Sequence, residues 1–362
     1  MTDVENPWMK PGRMVVTGGT GFVGSHLVRR LLQRGHEVTV LDPSPGLTSN
    51  ELRNRGAVIV AGSVSDTEAV DAAVAGADLV FHLASPFGDV GAPDSVYHDT
   101  EVVGTRRVLE AAERHAVRRV VHCSTQGVHG IVRDVPGDED SPVAPRDFYC
   151  QSKAEGEKVV TEFLERGLDV VVVRPTSVYG PGDVRGWLQL FRMVNKGRFV
   201  MIGGGRTMNH PVYVDNLVDL LELAATVPGA RGRTYLGGDA EAVTLEGLVR
   251  EVALAQRVSV RIFRFPSYRV AWAVTAVVEQ VCRWLRIKPP IFRRRLSWFR
   301  TNRAFRIDRA VNELGYRPAV DLREGLRRTA LWYQEQGLLE LPGGERMVSG
   351  TAASEAEQAS LE

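Results

Sequence analysis

The segment Thr17-Gly18-Gly19-Thr20-Gly21-Phe22-Val23-Gly24 constrains the fold more than any other stretch of this chain. It follows a β-branched run at residues 14–16 and opens a helical pattern over 22–34. Glycine is needed where a strand turns tightly into a helix, where backbone must come close to a ligand, and where helix packs directly on strand. The spacing satisfies GxGxxG through Gly19, Gly21 and Gly24, and GxxGxxG through Gly18, Gly21 and Gly24. A helix that begins here presents unpaired N–H groups and the positive end of its dipole to an anion.

The first half of the chain repeats this strand–helix alternation. Strand-like runs at 37–41, 58–61, 79–83, 120–123 and 170–173 are interleaved with helical patterns at 66–74, 96–114 and 149–166. The runs are nearly all apolar, as strands covered on both faces must be, so the pattern predicts an α/β fold with a doubly wound parallel sheet. Asp42 ends the second run, 18 residues past Gly24. A carboxylate there binds a ribose 2′-hydroxyl and repels a 2′-phosphate. No Arg or Lys stands between Pro43 and Asn50 to receive such a phosphate. The expected ligand is a dinucleotide, NAD in preference to NADP. Ser63 and Val64 follow the third run, where sheets of this kind meet the adenine, and Asp66 is placed to cap the next helix.

Composition narrows the field further. At 362 residues the chain exceeds one ordinary core and suits one large or two modest domains. With 44% hydrophobic residues, 25% charged and a net charge of +1, nothing asks for a nucleic-acid partner. Ten Arg or Lys and one acid, Asp308, fall between Arg283 and Arg309. That run is solvated surface or a candidate for peripheral contact with an anionic membrane. Cys123, Cys150 and Cys282 are too scattered for a disulfide framework and form no CxxC pair, so no metal is expected and a reducing, cytoplasmic setting fits. Residues 1–13 lack an apolar signal core, and the apolar stretch 270–287 is broken by Glu279, Gln280, Arg283 and Arg286, so no membrane span is expected.

The candidate chemistry lies in Tyr149-Cys150-Gln151-Ser152-Lys153, at the start of a helical pattern. The i, i+4 spacing puts Tyr149 and Lys153 on one helix face. A phenol titrates near 10, and a cation beside it lowers that value, which suits proton transfer closer to neutrality. The run 120–123 leads into Ser124 and Thr125, and hydroxyls at the carboxyl end of a parallel strand point into the crevice where ligands bind. His82, His122 and His129 also fall near strand ends. They lack a paired acid or thiol at ligand spacing and read as packing or hydrogen-bonding residues. Cys150 has no evident base and reads as incidental.

Together these motifs resemble the extended short-chain dehydrogenase/reductase family, over about residues 14–332. The glycine segment, His82-Leu83-Ala84, the Tyr149–Lys153 motif, Arg174-Pro175 with Tyr179-Gly180-Pro181, Tyr213-Val214-Asp215-Asn216 and Leu314-Gly315-Tyr316-Arg317-Pro318 occur in family order. The resemblance implies a Rossmann-type sheet and an NAD-dependent enzyme of the epimerase/dehydratase type. It implies Tyr149 as general acid/base and Lys153 as its partner and ribose ligand. Thr125, counted back from Gly130, is the third catalytic residue, with Ser124 as the fallback. Cofactor contacts are implied at Gly18, Gly21, Phe22, Val23, Gly24, Asp42, Ser63, Val64, Leu83, Ala84, Ser85, Pro175 and Val178. Substrate contacts are implied at Ser85, Thr125, Gln126, Ser177 and Asn209. A homodimer built on the helices at 96–114 and 149–166 belongs to the same resemblance.

Within the family the motifs diverge. Ser177 stands where nucleotide-sugar enzymes usually carry Asn, Asn209 where they often carry Arg, and Gln126-Gly127 where 4,6-dehydratases place an Asp-Glu pair. The apolar stretch 268–287, followed by Pro289-Pro290-Ile291-Phe292 and Arg293-Arg294-Arg295-Leu296, looks like the 3β-hydroxysteroid dehydrogenase/isomerase branch, as does Asn216. The leading expectation is hydride transfer from a secondary ring alcohol, 3β-hydroxysteroid or sterol-like, to NAD⁺. Two alternatives stay open. One is a nucleotide-sugar epimerase that uses Arg185, Arg192 and Arg206 for phosphate; the other is a non-catalytic dinucleotide-binding regulator. The expected organisation is an N-terminal extension (1–13), an NAD(P)-binding domain (14–180, with later returning segments), a mainly substrate-binding lobe (181–341) and a disordered tail (342–362).

Overall fold

β1 (Arg13–Thr17), β2 (Glu37–Asp42), β3 (Val58–Ala61), β4 (Leu79–His82), β5 (Arg119–Cys123), β6 (Val170–Pro175) and a further strand, Thr234–Gly237, make one sheet. Their order is Thr234–Gly237, β6, β5, β4, β1, β2, β3, and every neighbouring pair is parallel. The computed structural model describes residues 12–43, 47–86, 93–132, 134–265, 267–284 and 296–340. The expectations for the N-terminal extension, apart from its last two residues, for the tail, and for Arg293, Arg294 and Arg295 lie outside the described residues.

The sheet is apolar because it is covered twice. α1 (Phe22–Gln33) and the helix Val214–Thr226 bury Leu27, Val28, Leu31, Leu217 and Leu221 against one face. α2 (Leu47–Asn54) adds Leu52 to the same layer. On the other face, α3 (Thr67–Val74), α5 (Thr105–Arg114) and α6 (Phe148–Glu165) bury Val70, Val108, Leu109, Val160 and Phe163. Asp66 caps α3 as its sequence position suggests, accepting from the N–H groups of Glu68 and Ala69 at 3.0 and 3.3 Å.

The helical pattern at 96–114 is not continuous. α4 (Asp94–His98) runs into a π-helical turn, Asp99–Gly104, before α5 begins. Packing on both sides accounts for the widened turn. A Cβ on Gly104 would stand 2.5 Å from Val64, and one on Gly156 of α6 would stand 2.5 Å from the Glu101 carbonyl oxygen. Thr105 donates to that same carbonyl at 2.6 Å. Turns of this type concentrate at functional sites.

β1 leads onward to β2 on one side, while β4 lies on its other side, so the chain reverses direction across the sheet between β1 and β4. Ligands of such sheets bind outside the carboxyl ends at that point. Contacts divide the chain into two units: Met1–Val178 with His210–Ala242 and Asn302–Val320, and Tyr179–Asn209 with Val243–Thr301 and Asp321–Glu362. The second unit pairs strands Arg198–Ile202 and Arg261–Phe265 in parallel. Its core stacks Phe191 edge-on against Tyr333, and Thr244 caps the helix Leu245–Ala255 through the Gly247 N–H. None of the described helices is long and apolar enough to cross a membrane.

One buried cation ties the first unit together. Arg119, 2% exposed at the start of β5, forks onto both carboxylate oxygens of Asp169 at 3.0 and 2.9 Å. It also donates to the carbonyls of Ala224, Ala225 and Val227, at the end of the helix Val214–Thr226, and of Pro228. The Ala224 and Ala225 carbonyls have no partner inside their own helix, so the guanidinium closes the helix end as well as pairing the acid. Arg119→Met is expected to lower unfolding stability by about 3 kcal/mol, because Asp169 and the carbonyls lose their donor. Chemical denaturation would show a lower midpoint at unchanged slope.

Candidate active site

At the end of β1 the backbone approaches its neighbours too closely for side chains. Gly18 has φ +67°, and a Cβ there would lie 2.8 Å from the Ala84 Cα. A Cβ on Gly24 would lie 2.2 Å from the Gly18 carbonyl oxygen. α1 starts at Gly21 with no side chain capping its first N–H groups. Asp42, 8% exposed, accepts from the Thr20 N–H at 3.2 Å, which holds its carboxylate against the turn. An uncapped helix start, glycines with no room for a Cβ, and a carboxylate fixed beside them fit a dinucleotide.

Below the turn, a chain of hydrogen bonds joins β1, β4 and α5. The Ala84 N–H donates to Thr17 Oγ1, which lies 2.8 Å from His82 Nδ1, and His82 Nε2 lies 3.1 Å from Thr105 Oγ1. Thr105 commits its own proton to the Glu101 carbonyl, so it accepts from His82 Nε2–H, and Nδ1 accepts from Thr17. Burial and the nearby Lys153 charge push the His82 pKa down to about 3, so the ring stays neutral. His122 packs against it with ring centroids 5.4 Å apart, and burial holds its pKa far below the usual histidine range. Its two nitrogens have no partner among the described residues. Both histidines act by packing, and His82 also by hydrogen bonding.

α6 carries the candidate pair, Tyr149 and Lys153. Asp147 caps it by accepting from the Cys150 N–H at 2.9 Å, which puts Tyr149 in the first turn and Lys153 one turn later. Lys153 is 3% exposed and donates to the Cys123 carbonyl, at the end of β5, at 2.7 Å. Its ammonium also pairs with Glu101 Oε2 at 2.8 Å, off the axis of a hydrogen bond. Glu101, in the π-turn, is 0% exposed. Its Oε1 accepts from Ser85 at 2.6 Å, and Ser85 in turn bonds the Tyr149 hydroxyl. The Tyr149 ring keeps some exposure while its hydroxyl is enclosed. Burial first, and then the Glu101 charge, push its pKa well above the usual phenol value. Burial raises the neighbouring Cys123 thiol to about 11.

The structure brings Thr125 to the same strand end. It is extended (φ −155°) and caps the short turn Gln126–His129, accepting from the Gly127 N–H at 3.1 Å. Ser124, the fallback, donates instead to Glu157, which also receives the Arg174 guanidinium. Ser63 is tied to Ser65 through a hydroxyl pair at 2.8 Å. Val64 is buried in the core on one face of the sheet, and Leu83 and Val178 pack, partly buried, against the core on the other face. Pro175 ends β6, and Ser177 is exposed. Asn209 belongs to the second unit, where its amide is engaged: Oδ1 accepts from Trp298 at 2.7 Å and Nδ2 donates to the Thr207 carbonyl. Asn216 is structural, bonding Asp239 and both backbone groups of Val320. In the second unit, a surface depression of about 710 Å³ includes Arg206, Arg250 and Arg264, and the latter two are paired with Glu246. It holds no member of the acid–base set.

Sequence reasoning missed Glu101. In an uninterrupted helix it would share a face with Thr105, Val108 and Ala112, all buried, and an acid on a buried stripe is the available signal.

A model of the NAD dependent epimerase/dehydratase family matches residues 14–236. The 2-alkyl-3-oxoalkanoate reductase of Stenotrophomonas maltophilia (strain K279a) is 33% identical over 327 residues, covering 87% of this chain and 98% of that protein. The 3-beta-hydroxysteroid dehydrogenase of Mycolicibacterium neoaurum is 30% identical over 346 residues, covering 90% and 92%. The solved structure of DesIV, the dTDP-glucose 4,6-dehydratase of Streptomyces venezuelae with NAD and TYD bound, superposes with a TM-score of 0.70 at 26% identity, covering 91% of this chain and 99% of that one. The fold, the ordered motifs and these matches agree: the chain is an enzyme of the extended short-chain dehydrogenase/reductase type and belongs to the NAD dependent epimerase/dehydratase family.

Proposed function

We propose that this protein interconverts a secondary alcohol and its ketone on a lipophilic, ring-bearing substrate of the 3β-hydroxysteroid or sterol type, with NAD as the redox partner. The observation that supports the reading is that Lys153, one helical turn after Tyr149 on α6, donates to the Cys123 carbonyl at the end of β5, the strand that leads into Thr125. The names of the relatives favour net redox chemistry on apolar substrates, a reductase of alkyl-oxoalkanoates and a dehydrogenase of hydroxysteroids. The turn Gln126-Gly127, with no acid pair, leaves water elimination without its own acid and base.

The turn N–H groups would hold the pyrophosphate, Asp42 the adenosine ribose, and Ser63 and Val64 the adenine side. Leu83, Ala84, Pro175 and Val178 would flank the rest, with Lys153 at the second ribose. Bound there, the nicotinamide supplies or accepts the hydride. Tyr149 passes the proton to or from the substrate oxygen. Thr125 Oγ1 already accepts from Gly127, which leaves its own proton to donate to that oxygen. Asp42 disfavours the 2′-phosphate of NADP by charge repulsion.

Incubation with NAD⁺ and 3β-hydroxysteroids or sterols is expected to accumulate NADH at equilibrium. Turnover of UDP- or dTDP-sugars without net NADH would overturn the reading in favour of an epimerase. Tyr149→Phe is expected to lower kcat by about a thousandfold, with NAD affinity by calorimetry changed by less than about a factor of two. Asp42→Ala should weaken NAD binding by about tenfold and narrow the gap to NADP; an unchanged ratio of the two dissociation constants would remove Asp42 from the cofactor site.

A further inference from the structure

We propose that Glu101 is a positioning residue for the reaction: through its buried ion pair with Lys153 it keeps the Tyr149 phenol protonated and biases it toward giving its proton to a carbonyl oxygen. The proposal rests on the redox reading above for its kinetic consequence, and on geometry alone for the residue's action on Tyr149.

The geometry concerns charge. A buried ammonium with no counter-ion would stabilise a phenolate one helical turn away. Here the carboxylate of Glu101 sits 2.8 Å from Lys153 Nζ, so the pair is close to neutral and the phenol gains little from it. Glu101 is held in that place by Ser85, which donates to its Oε1 at 2.6 Å.

Other groups around the site do not replace this action. His82 on β4 and His122 on β5 are neutral in their buried positions. The Cys123 thiol on β5 is held protonated, and Cys150 on α6 is buried beside Gly127. Glu157 on α6 is occupied by Arg174 and Ser124. Arg303 faces Cys150 and Asp147. Among these charged groups, Glu101 is the carboxylate that meets Lys153 and Ser85 together. Its place is built rather than incidental: Gly156 lets α6 press on its carbonyl, and the π-turn around it is held by Gly104 against Val64.

The first test needs neither substrate nor cofactor. Tyrosine labelled at Cζ with ¹³C is titrated by NMR, with Tyr149→Phe used to assign the signal. In the wild-type protein the Tyr149 phenol is expected to titrate above the usual phenol range. In Glu101→Gln it is expected to titrate at least one unit lower, a tenfold shift in the phenolate equilibrium. Glu101→Asp, which keeps the charge but draws it back from Lys153, serves as the second variant should Glu101→Gln fail to fold, and it should move the phenol downward by a smaller amount. A titration of either variant within about 0.3 units of wild type, or above it, would mean that Glu101 only packs and overturns the proposal. The second test uses turnover. If the redox reading holds, Glu101→Gln moves the alkaline limb of ketone reduction down in pH and raises alcohol oxidation near neutrality relative to reduction. A protein that turns over no alcohol or ketone defeats the redox reading, while the phenol titration still decides whether Glu101 acts on Tyr149.

Discussion

Between β1 and β4 the backbones of Gly18 and Ala84 pass so close that a methyl on residue 18 would stand 2.8 Å from the Ala84 Cα. The Leu83 N–H bonds the Thr17 carbonyl across the same gap, and the Ala84 N–H bonds the Thr17 hydroxyl. This contact sets where the sheet stops on both strands at the point where the chain reverses direction. From it, α1 leaves with a bare N-terminus, Asp42 comes to rest against Thr20, and Ser85 is delivered two bonds' reach from Lys153 through Glu101. A side chain at residue 18 would push these edges apart, and cofactor and acid–base sites would separate together.

The second constraint is the burial of charge. A lysine that is 3% exposed must meet an opposite charge or lose its proton, since the cost of a lone ammonium in the interior is several kcal/mol. The chain meets it with a carboxylate from a different element, inside a turn deformed by packing. The same solution recurs at Arg119 with Asp169 and at Arg174 with Glu157. In each case a cation on or beside the sheet is paired to an acid and also closes backbone or side-chain acceptors. At Lys153 the pairing has a chemical consequence, because the phenol that shares its helix face loses the field of a bare cation.

The relatives span reductases, dehydrogenases and dehydratases on one fold, so the fold alone leaves the substrate open. Around Tyr149 and Lys153 this chain sets Thr125 in the capping position of a short turn, Ser85 and Glu101 beside them, and neutral histidines beneath. Asn209, which its sequence position suggested for substrate, engages its amide with Trp298 and Thr207 within its own unit.

The features legible in the sequence were those that depend on neighbours along the chain. Glycine spacing, the apolar runs of doubly covered strands, the cap at Asp66, and the Tyr149/Lys153 face are local consequences of backbone sterics, period and hydrogen-bond chemistry. The roles of Glu101 and Arg119 were not legible. Each is a charged residue buried by a partner far away in the sequence, and although the spacing of Glu101 from Thr105, Val108 and Ala112 points to a buried stripe, nothing along the chain names that partner. Whether a carboxylate on a helix faces water or a lysine depends on how two helices press against a third element, and a one-residue widening of the π-turn changes that face. Spacing along the chain specified the sheet, the glycine turn and the Tyr149/Lys153 motif; packing alone set the charge that this motif meets, because electrostatic neighbours follow from distance in space and not from distance in sequence.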